Sequence, residues 1–372
     1  MVKKRLCWIE NNLQNYTRNF QNIRKLIGPT VKIMAVVKAN AYGHGISCIG
    51  PHAGKIGADF FGVVCLDEAQ ELREIGIAKP ILILNYTDTG SIEEAINLKL
   101  RLNVMDEKVL KTLNRIARKN GVRAPIHVKV DTGMHRLGLA PSDALHFIKK
   151  IEGFPNIFLE GLFTHFASAD EKSLAFTRDQ LQIFQEFLAT LSKKGINPPV
   201  IHAANSAAAL RLHQSHFSMV RPGIALYGLS PSPDFRLPVN LHPVLSFKTI
   251  VTQIRQIRKG ESVGYGGTFT ASQKMLVATL AVGYGDGFRR APRNWGEVLI
   301  KGKRAKIIGR VSMDQASIDV TKIPEVCLGD EVVLIGKQGN EEISATHVAT
   351  KIGTINYEVI TTLTERVERK CS

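Results

Sequence analysis

Val31-Lys32-Ile33-Met34-Ala35-Val36-Val37-Lys38 is an apolar run of strand length that ends on a lysine, and it is the first of eight such runs in the chain. They lie at 31–37, 60–65, 81–84, 100–105, 126–130, 157–163, 200–203 and 219–226. Short continuous apolar runs suit strands buried on both faces. Between most of them stand amphipathic stretches, 67–76, 106–120 and 173–194 among them, with Leu, Ile and Phe at helical spacing and with Gly76, Gly121 and Gly195 as C-terminal stops. Strand alternating with helix implies parallel pairing. Eight such units in roughly the first 230 residues predict an α/β fold, a closed (β/α)8 barrel of TIM type, with an open doubly wound sheet as the alternative.

Beyond Tyr227 the texture changes. Pro231-Ser232-Pro233-Asp234-Phe235-Arg236-Leu237-Pro238 reads as a linker. After it, β-rich runs at 245–251, 275–282, 298–299, 306–308, 316–320 and 331–335 alternate with glycine-containing turns, and helices are expected only at 344–351 and 358–363. The chain is therefore expected to divide into a barrel domain at 1–234 and a mostly β domain at 235–372, with the extreme N-terminal strand available to pack with the latter.

A length of 372 residues suffices for two such domains, and 44% hydrophobic with 22% charged residues are globular values. The 49 Lys and Arg against 33 Asp and Glu leave a net charge of +16, which raises a polyanion-binding reading. The basic clusters Lys3-Lys4-Arg5, 301–306 and 366–370 are short, however, and no block of about five or six like charges marks a nucleic-acid tail. The surplus reads as solvated surface, with no nucleic-acid partner. Five cysteines, far apart and without CxxC spacing, predict neither a disulfide framework nor a metal site and fit a reducing cytoplasm. Residues 7–15 hold Glu10 and three Asn where a signal peptide would be apolar, and the longest apolar runs fall far short of the roughly 20 residues that cross a bilayer. Neither secretion nor membrane insertion is expected.

In a parallel barrel, chemistry gathers where the strands end. Lys38 leaves strand one, where partial desolvation would lower its pKa and make it a nucleophile or base; a lysine snorkelling to the surface is the plainer reading. Strand five leads through Lys129 and Asp131 to Arg136, strand six into Thr164-His165, and strand seven through His202 into Asn205-Ser206. Ser206 reads equally as a helix cap and as a phosphate ligand. Strand eight supplies Arg221-Pro222-Gly223-Ile224, where backbone N–H groups could approach a phosphorylated ligand. In the second domain, Gly264-Tyr265-Gly266-Gly267 and Gly283-Tyr284-Gly285-Asp286-Gly287 set tyrosines among glycines, either as plain turns or to present an acid or base.

Ala35-Val36-Val37-Lys38-Ala39-Asn40-Ala41-Tyr42-Gly43-His44-Gly45 resembles the pyridoxal-phosphate lysine motif of the alanine racemase family. The resemblance continues through 127–134, 221–228, 262–266 and Ser312-Met313-Asp314 in family order, departing only near the start, at Asn11-Asn12. It implies a barrel followed by a β domain, a homodimer with composite sites, and an enzyme supplying D-alanine for peptidoglycan. Lys38 would carry the cofactor and serve the D-isomer, and Tyr265 would serve the L-isomer from the opposite face. The resemblance further implies Arg221 at the pyridine nitrogen, oriented by His165, and Tyr42, Ser206, Gly223, Ile224 and Tyr357 at the phosphate, with Asn205 near by. Arg136 and the Met313 N–H would bind the substrate carboxylate, and Tyr284 would narrow the entrance. Lys129 beside Arg136 would repel it as an ammonium, so a neutral amine or a negatively charged modified lysine is cheaper there, and the resemblance implies a carbamate. Related decarboxylases place an acidic residue at the ring nitrogen, and single-barrel pyridoxal proteins lack the β domain; Arg221 and the C-terminal half argue against both.

Overall fold

The computed structural model describes residues 5–372, so Lys3 and Lys4 of the first basic cluster lie outside the described residues. The chain forms two compact units. One comprises Thr17–Ala41 and Ile49–His242, the other the chain up to Tyr16, Tyr42–Cys48 and Pro243–Ser372.

Strand β1 (Cys7–Asn11) belongs to the second unit. The first unit is a closed parallel barrel of β2 (Lys32–Val36), β3 (Phe60–Val63), β4 (Ile81–Ile83), β5 (Arg101–Asn103), β6 (Ala124–Lys129), β7 (Ile157–Phe163), β8 (Val200–His202) and β9 (Met219–Val220). Closure is the pairing of β9 with β2, Met219 opposite Lys32 and Val220 opposite Ile33. The alternative of an open doubly wound sheet is thereby overturned. Met34, Phe60, Leu82, Val200 and Met219 pack as one apolar cluster of its core. Helices cover the strands by burying one stripe. Helix Glu107–Lys119 buries Val109, Leu110, Leu113, Ile116 and Ala117, and starts where the Asp106 carboxylate accepts the Val109 N–H at 2.9 Å.

The eighth strand is shorter than the apolar run 219–226 predicts, and it stops at Val220. Pro222 has no N–H to give a ladder, and the Gly223 and Ala225 N–H groups donate to the Ser206 hydroxyl, at 2.9 and 3.3 Å. The chain after strand one takes an unusual backbone. Residues 39–42 are all left-handed, with φ of 51–53°, a conformation that costs roughly 1–2 kcal/mol for each non-glycine residue.

The second unit is built on a nine-stranded sheet in which β1 lies between β10 (Leu245–Ile257), antiparallel to it, and the parallel strand Glu368–Cys371. Strand Glu331–Gln338 pairs with both β10 and Glu297–Ile300 and folds the sheet back on itself. The core centres on Trp295, whose ring meets Phe288 edge-on at 4.8 Å and Phe247 at 6.1 Å. The cysteine reading is corrected here. Cys48 and Cys371 are bonded, with Cα atoms 6.0 Å apart across 323 residues of sequence. Distance along the chain hides the pair, because Cys371 reaches this place only through the pairing of its strand with β1, opposite Asn11.

Gly43 shows how tightly this unit is packed. It has φ +80°, and a Cβ there would lie 2.0 Å from the Ile360 carbonyl oxygen. Gly43→Ala is expected to cost on the order of 3 kcal/mol, read as a lowered thermal midpoint; an unchanged midpoint would contradict this packing.

Candidate active site

Lys38 follows β2 at the C-terminal end of the barrel, where the fold gathers functional groups. Burial lowers its amine pKa and the charge of Arg136 lowers it further, while Glu68 acts in the opposite direction. Glu68 also braces the left-handed segment: its carboxylate accepts the Ala39 N–H at 2.6 Å and the Val64 N–H at 2.8 Å.

Lys129, the last residue of β6, is buried with its amine 5.8 Å from the centre of the Phe163 ring. Desolvation, then Arg136 and Arg221, push it down to about 8. The next turn is held by Asp131, whose carboxylate accepts N–H groups from Gly133 (2.9 Å), Met134 (3.0 Å) and His135 (3.2 Å) and so leads the chain to the exposed Arg136. Lys38, Lys129, Arg136 and Arg221 thus form one mutually repelling group of cations. Asp131 and Glu68 are the carboxylates that offset it.

Arg221 is buried, and burial pulls its guanidinium down to about 9, still charged at neutral pH. It donates to His202 Nδ1 at 2.9 Å, to His165 Nδ1 at 3.1 Å, and to the carbonyls of Thr164 (2.8 Å) and Ala203 (3.0 Å). Burial and then the Arg221 charge hold both imidazoles far below the usual histidine range, so they stay neutral and can accept. Beside them Asn205, not Ser206, caps helix Ser206–Arg211, accepting the Ala208 N–H at 3.0 Å. The Ser206 hydroxyl is turned instead to the N–H groups of Gly223 and Ala225.

Ile224, beside Gly223, is buried, and the remaining candidates belong to the second unit. Tyr42 is buried with its ring 6.2 Å from that of Tyr357. Tyr265 is 66% exposed on a turn where Gly264, Gly266 and Gly267 take positive φ, and Arg290 lies 5.9 Å from its ring. Tyr284 and Met313 are exposed and adjoin: the Tyr284 N–H donates to Ser312 and the Gly285 N–H to Met313. Arg366 pairs with Asp286 and Asp314 and ties these two loops together. Sequence reasoning passed over Glu68, His127 and Glu160 as site residues and named His202 at the end of strand seven without giving it a role. For the histidines the available signal was a polar residue inside an apolar strand.

Two family models match the chain: alanine racemase, N-terminal domain, over residues 11–231, and alanine racemase, C-terminal domain, over 244–371. An alanine racemase of Halothermothrix orenii is 43% identical over 98% of this chain and 97% of its own length. Among solved structures, an alanine racemase of Bacillus anthracis with bound L-Ala-P superposes with a TM-score of 0.93 at 41% identity, covering 99% of this chain and 95% of that one. One from Clostridium difficile gives 0.94 at 36% identity, over 99% and 95%. Together with the barrel, the lysine that follows its first strand and the β unit, these matches show that the chain belongs to the alanine racemase family of enzymes.

Proposed function

We propose that this protein interconverts L- and D-alanine with pyridoxal phosphate as cofactor, in the cytoplasm, supplying D-alanine for peptidoglycan. The observation that carries the reading is the gathering of Lys38, Lys129, Arg136 and Arg221 at the barrel's C-terminal end against two carboxylates. Such a group calls for an anionic occupant, and a phosphorylated cofactor together with a substrate carboxylate meets that need. An amine with a lowered pKa is also the nucleophile that a pyridoxal aldehyde requires.

When bound, the cofactor takes up the electron pair left at Cα as the α-proton departs. Lys38 moves that proton on the D-isomer's face and Tyr265 on the opposite face. Arg221 would face the pyridine nitrogen as a donor that does not readily release its proton, which would disfavour side reactions needing a protonated ring. His165 orients Arg221. Ser206, Gly223 and Ile224, with Tyr42, Tyr357 and the neighbouring Asn205, hold the phosphate. Arg136 and the Met313 N–H orient the substrate carboxylate, and Tyr284 limits side-chain size. The barrel unit, Thr17–Ala41 with Ile49–His242, is the cofactor domain in place of the expected 1–234, and the β unit is its partner. The exposure of Tyr265, Tyr284 and Met313 favours a homodimer in which they serve the partner's site. Reducing the loaded protein with borohydride and mapping its peptides tests the reading: a pyridoxyl adduct on Lys38 supports it, and none, or one elsewhere, contradicts it.

Lys129 is expected to carry a carbamate. An amine near pKa 8 is partly neutral at pH 7–8; its nitrogen adds to the carbon of carbon dioxide and releases a proton, leaving an anion beside Arg136. An unmodified Lys129 would make the fold gain stability as pH rises from about 8 towards the ordinary lysine range, because there the unfolded chain binds the extra proton. A carbamate removes that gain. Lys129→Ala should raise KM for alanine about tenfold and recover partly with added short carboxylates. In native protein equilibrated with 13C-labelled carbon dioxide, the absence of a carbamate carbon resonance that disappears in Lys129→Ala would contradict the assignment.

A further inference from the structure

Behind Arg221 the barrel interior holds a line of polar groups that the proposed chemistry does not use. His127 Nδ1 lies 2.8 Å from His202 Nε2, and His127 Nε2 lies 3.1 Å from Glu160 Oε2. Arg101 meets the same carboxylate from the other side, Nε at 3.1 Å and Nη2 at 3.3 Å. The surroundings are apolar. Phe163 stacks on His202 at 4.8 Å and Phe60 meets His127 edge-on at 6.4 Å.

The local structure is shaped around these rings. Where β6 pairs with β7, Ile126 faces Leu159 and the next residue, His127, faces Gly161, so Glu160 is the extra residue of a β-bulge. A bulge re-aims a side chain, and here the displaced residue reaches His127. Gly161 makes room, since a Cβ there would lie 2.5 Å from the His127 ring.

The direction of the chain follows from its ends. A guanidinium only donates, so His202 must present a bare Nδ1 to Arg221 and carry its proton on Nε2. That proton is donated to His127 Nδ1, which leaves His127 protonated on Nε2, facing Glu160. A carboxylate only accepts. Burial pushes the Glu160 carboxyl up, but the bonds from His127 and Arg101 outweigh it and keep it ionised, while burial keeps both imidazoles neutral. Each proton has one place and each lone pair one partner.

We propose that Glu160 is a positioning residue for Arg221, terminating a one-way chain of hydrogen bonds that runs from the guanidinium through His202 and His127 to its carboxylate. The chain fixes where the guanidinium stands and which imidazole nitrogen supports it. The role in turnover rests on the racemase reading above; the tautomers do not.

The test uses the cofactor-loaded protein with isotope-labelled histidine, reading tautomers from ring-nitrogen shifts, beside steady-state alanine kinetics. In the wild type, His127 and His202 are expected neutral, each with its proton on Nε2. Glu160→Leu removes the acceptor, and is expected to change the His127 signals and lower kcat about 10- to 100-fold with little change in KM. Glu160→Gln, whose amide oxygen can still accept, should keep the tautomers and most of kcat. A proton on His202 Nδ1, a charged imidazole at either position at neutral pH, a Gln variant as impaired as the Leu variant, or a Leu variant like wild type would each overturn the proposal. The predicted tautomers in a protein that does not turn over alanine would overturn the racemase reading and leave the chain standing.

Discussion

Lys38→Ala is expected to lose covalently held pyridoxal phosphate and to slow racemisation by more than about 10⁴-fold, because in the proposed mechanism the residue both binds the cofactor and moves a proton. Its position suits both roles. It stands directly after β2, its amine is deprived of its usual water, and Arg136 adds a repulsion that further favours the neutral, nucleophilic form. The fold itself should survive, since the alanine removes one of four mutually repelling cations. The measurement is the absorbance of the protein after free cofactor is removed, taken beside the initial rate from each enantiomer. A variant that retained the cofactor band and wild-type rates would show that the reaction does not pass through Lys38.

Tyr265→Phe is expected to lower kcat about 10²- to 10⁴-fold, the usual range for a positioned acid or base, while cofactor retention stays at the wild-type level. The ring remains, so its contact with Arg290 and the glycine turn beneath it are preserved, and only the hydroxyl is lost. In the proposed homodimer Tyr265 serves the partner's site, so two inactive chains should complement each other. In a mixture of Lys38→Ala and Tyr265→Phe chains at full exchange, half the dimers are mixed and one of their two sites is intact, giving about one quarter of wild-type activity. No recovery after demonstrated exchange would place both residues of a site in one chain.

How much of this was legible in the sequence follows the physics of each element. The barrel strands could be read because parallel strands buried on both faces need short apolar runs, and helix Glu107–Lys119 because its stripe and its Asp106 cap are local signals. Strand Glu368–Cys371 was invisible. It holds Glu, Arg, Lys and Cys, and it is placed by its ladder with β1 rather than by burial of an apolar face. The disulfide was hidden with it, since only that ladder brings Cys371 to Cys48. The tail of strand eight misled because Gly223-Ile224-Ala225-Leu226 is apolar, yet its backbone donors belong to Ser206 and a turn. At the site, Lys38 at the end of one apolar run and Arg221 inside another are polar residues that announce themselves. His127, His202 and Glu160 do not, because their partnership depends on a bulge that displaces Glu160 by one position.

The most direct measurement is to incubate the pyridoxal-phosphate-loaded protein with L-alanine in deuterium oxide, resolve the enantiomers and weigh them. Two proton carriers on opposite faces predict D-alanine bearing solvent deuterium at Cα, formed until the two enantiomers, which have equal free energies, are present in equal amounts. L-alanine left unchanged, or consumed to a keto acid without D-alanine, would contradict the account.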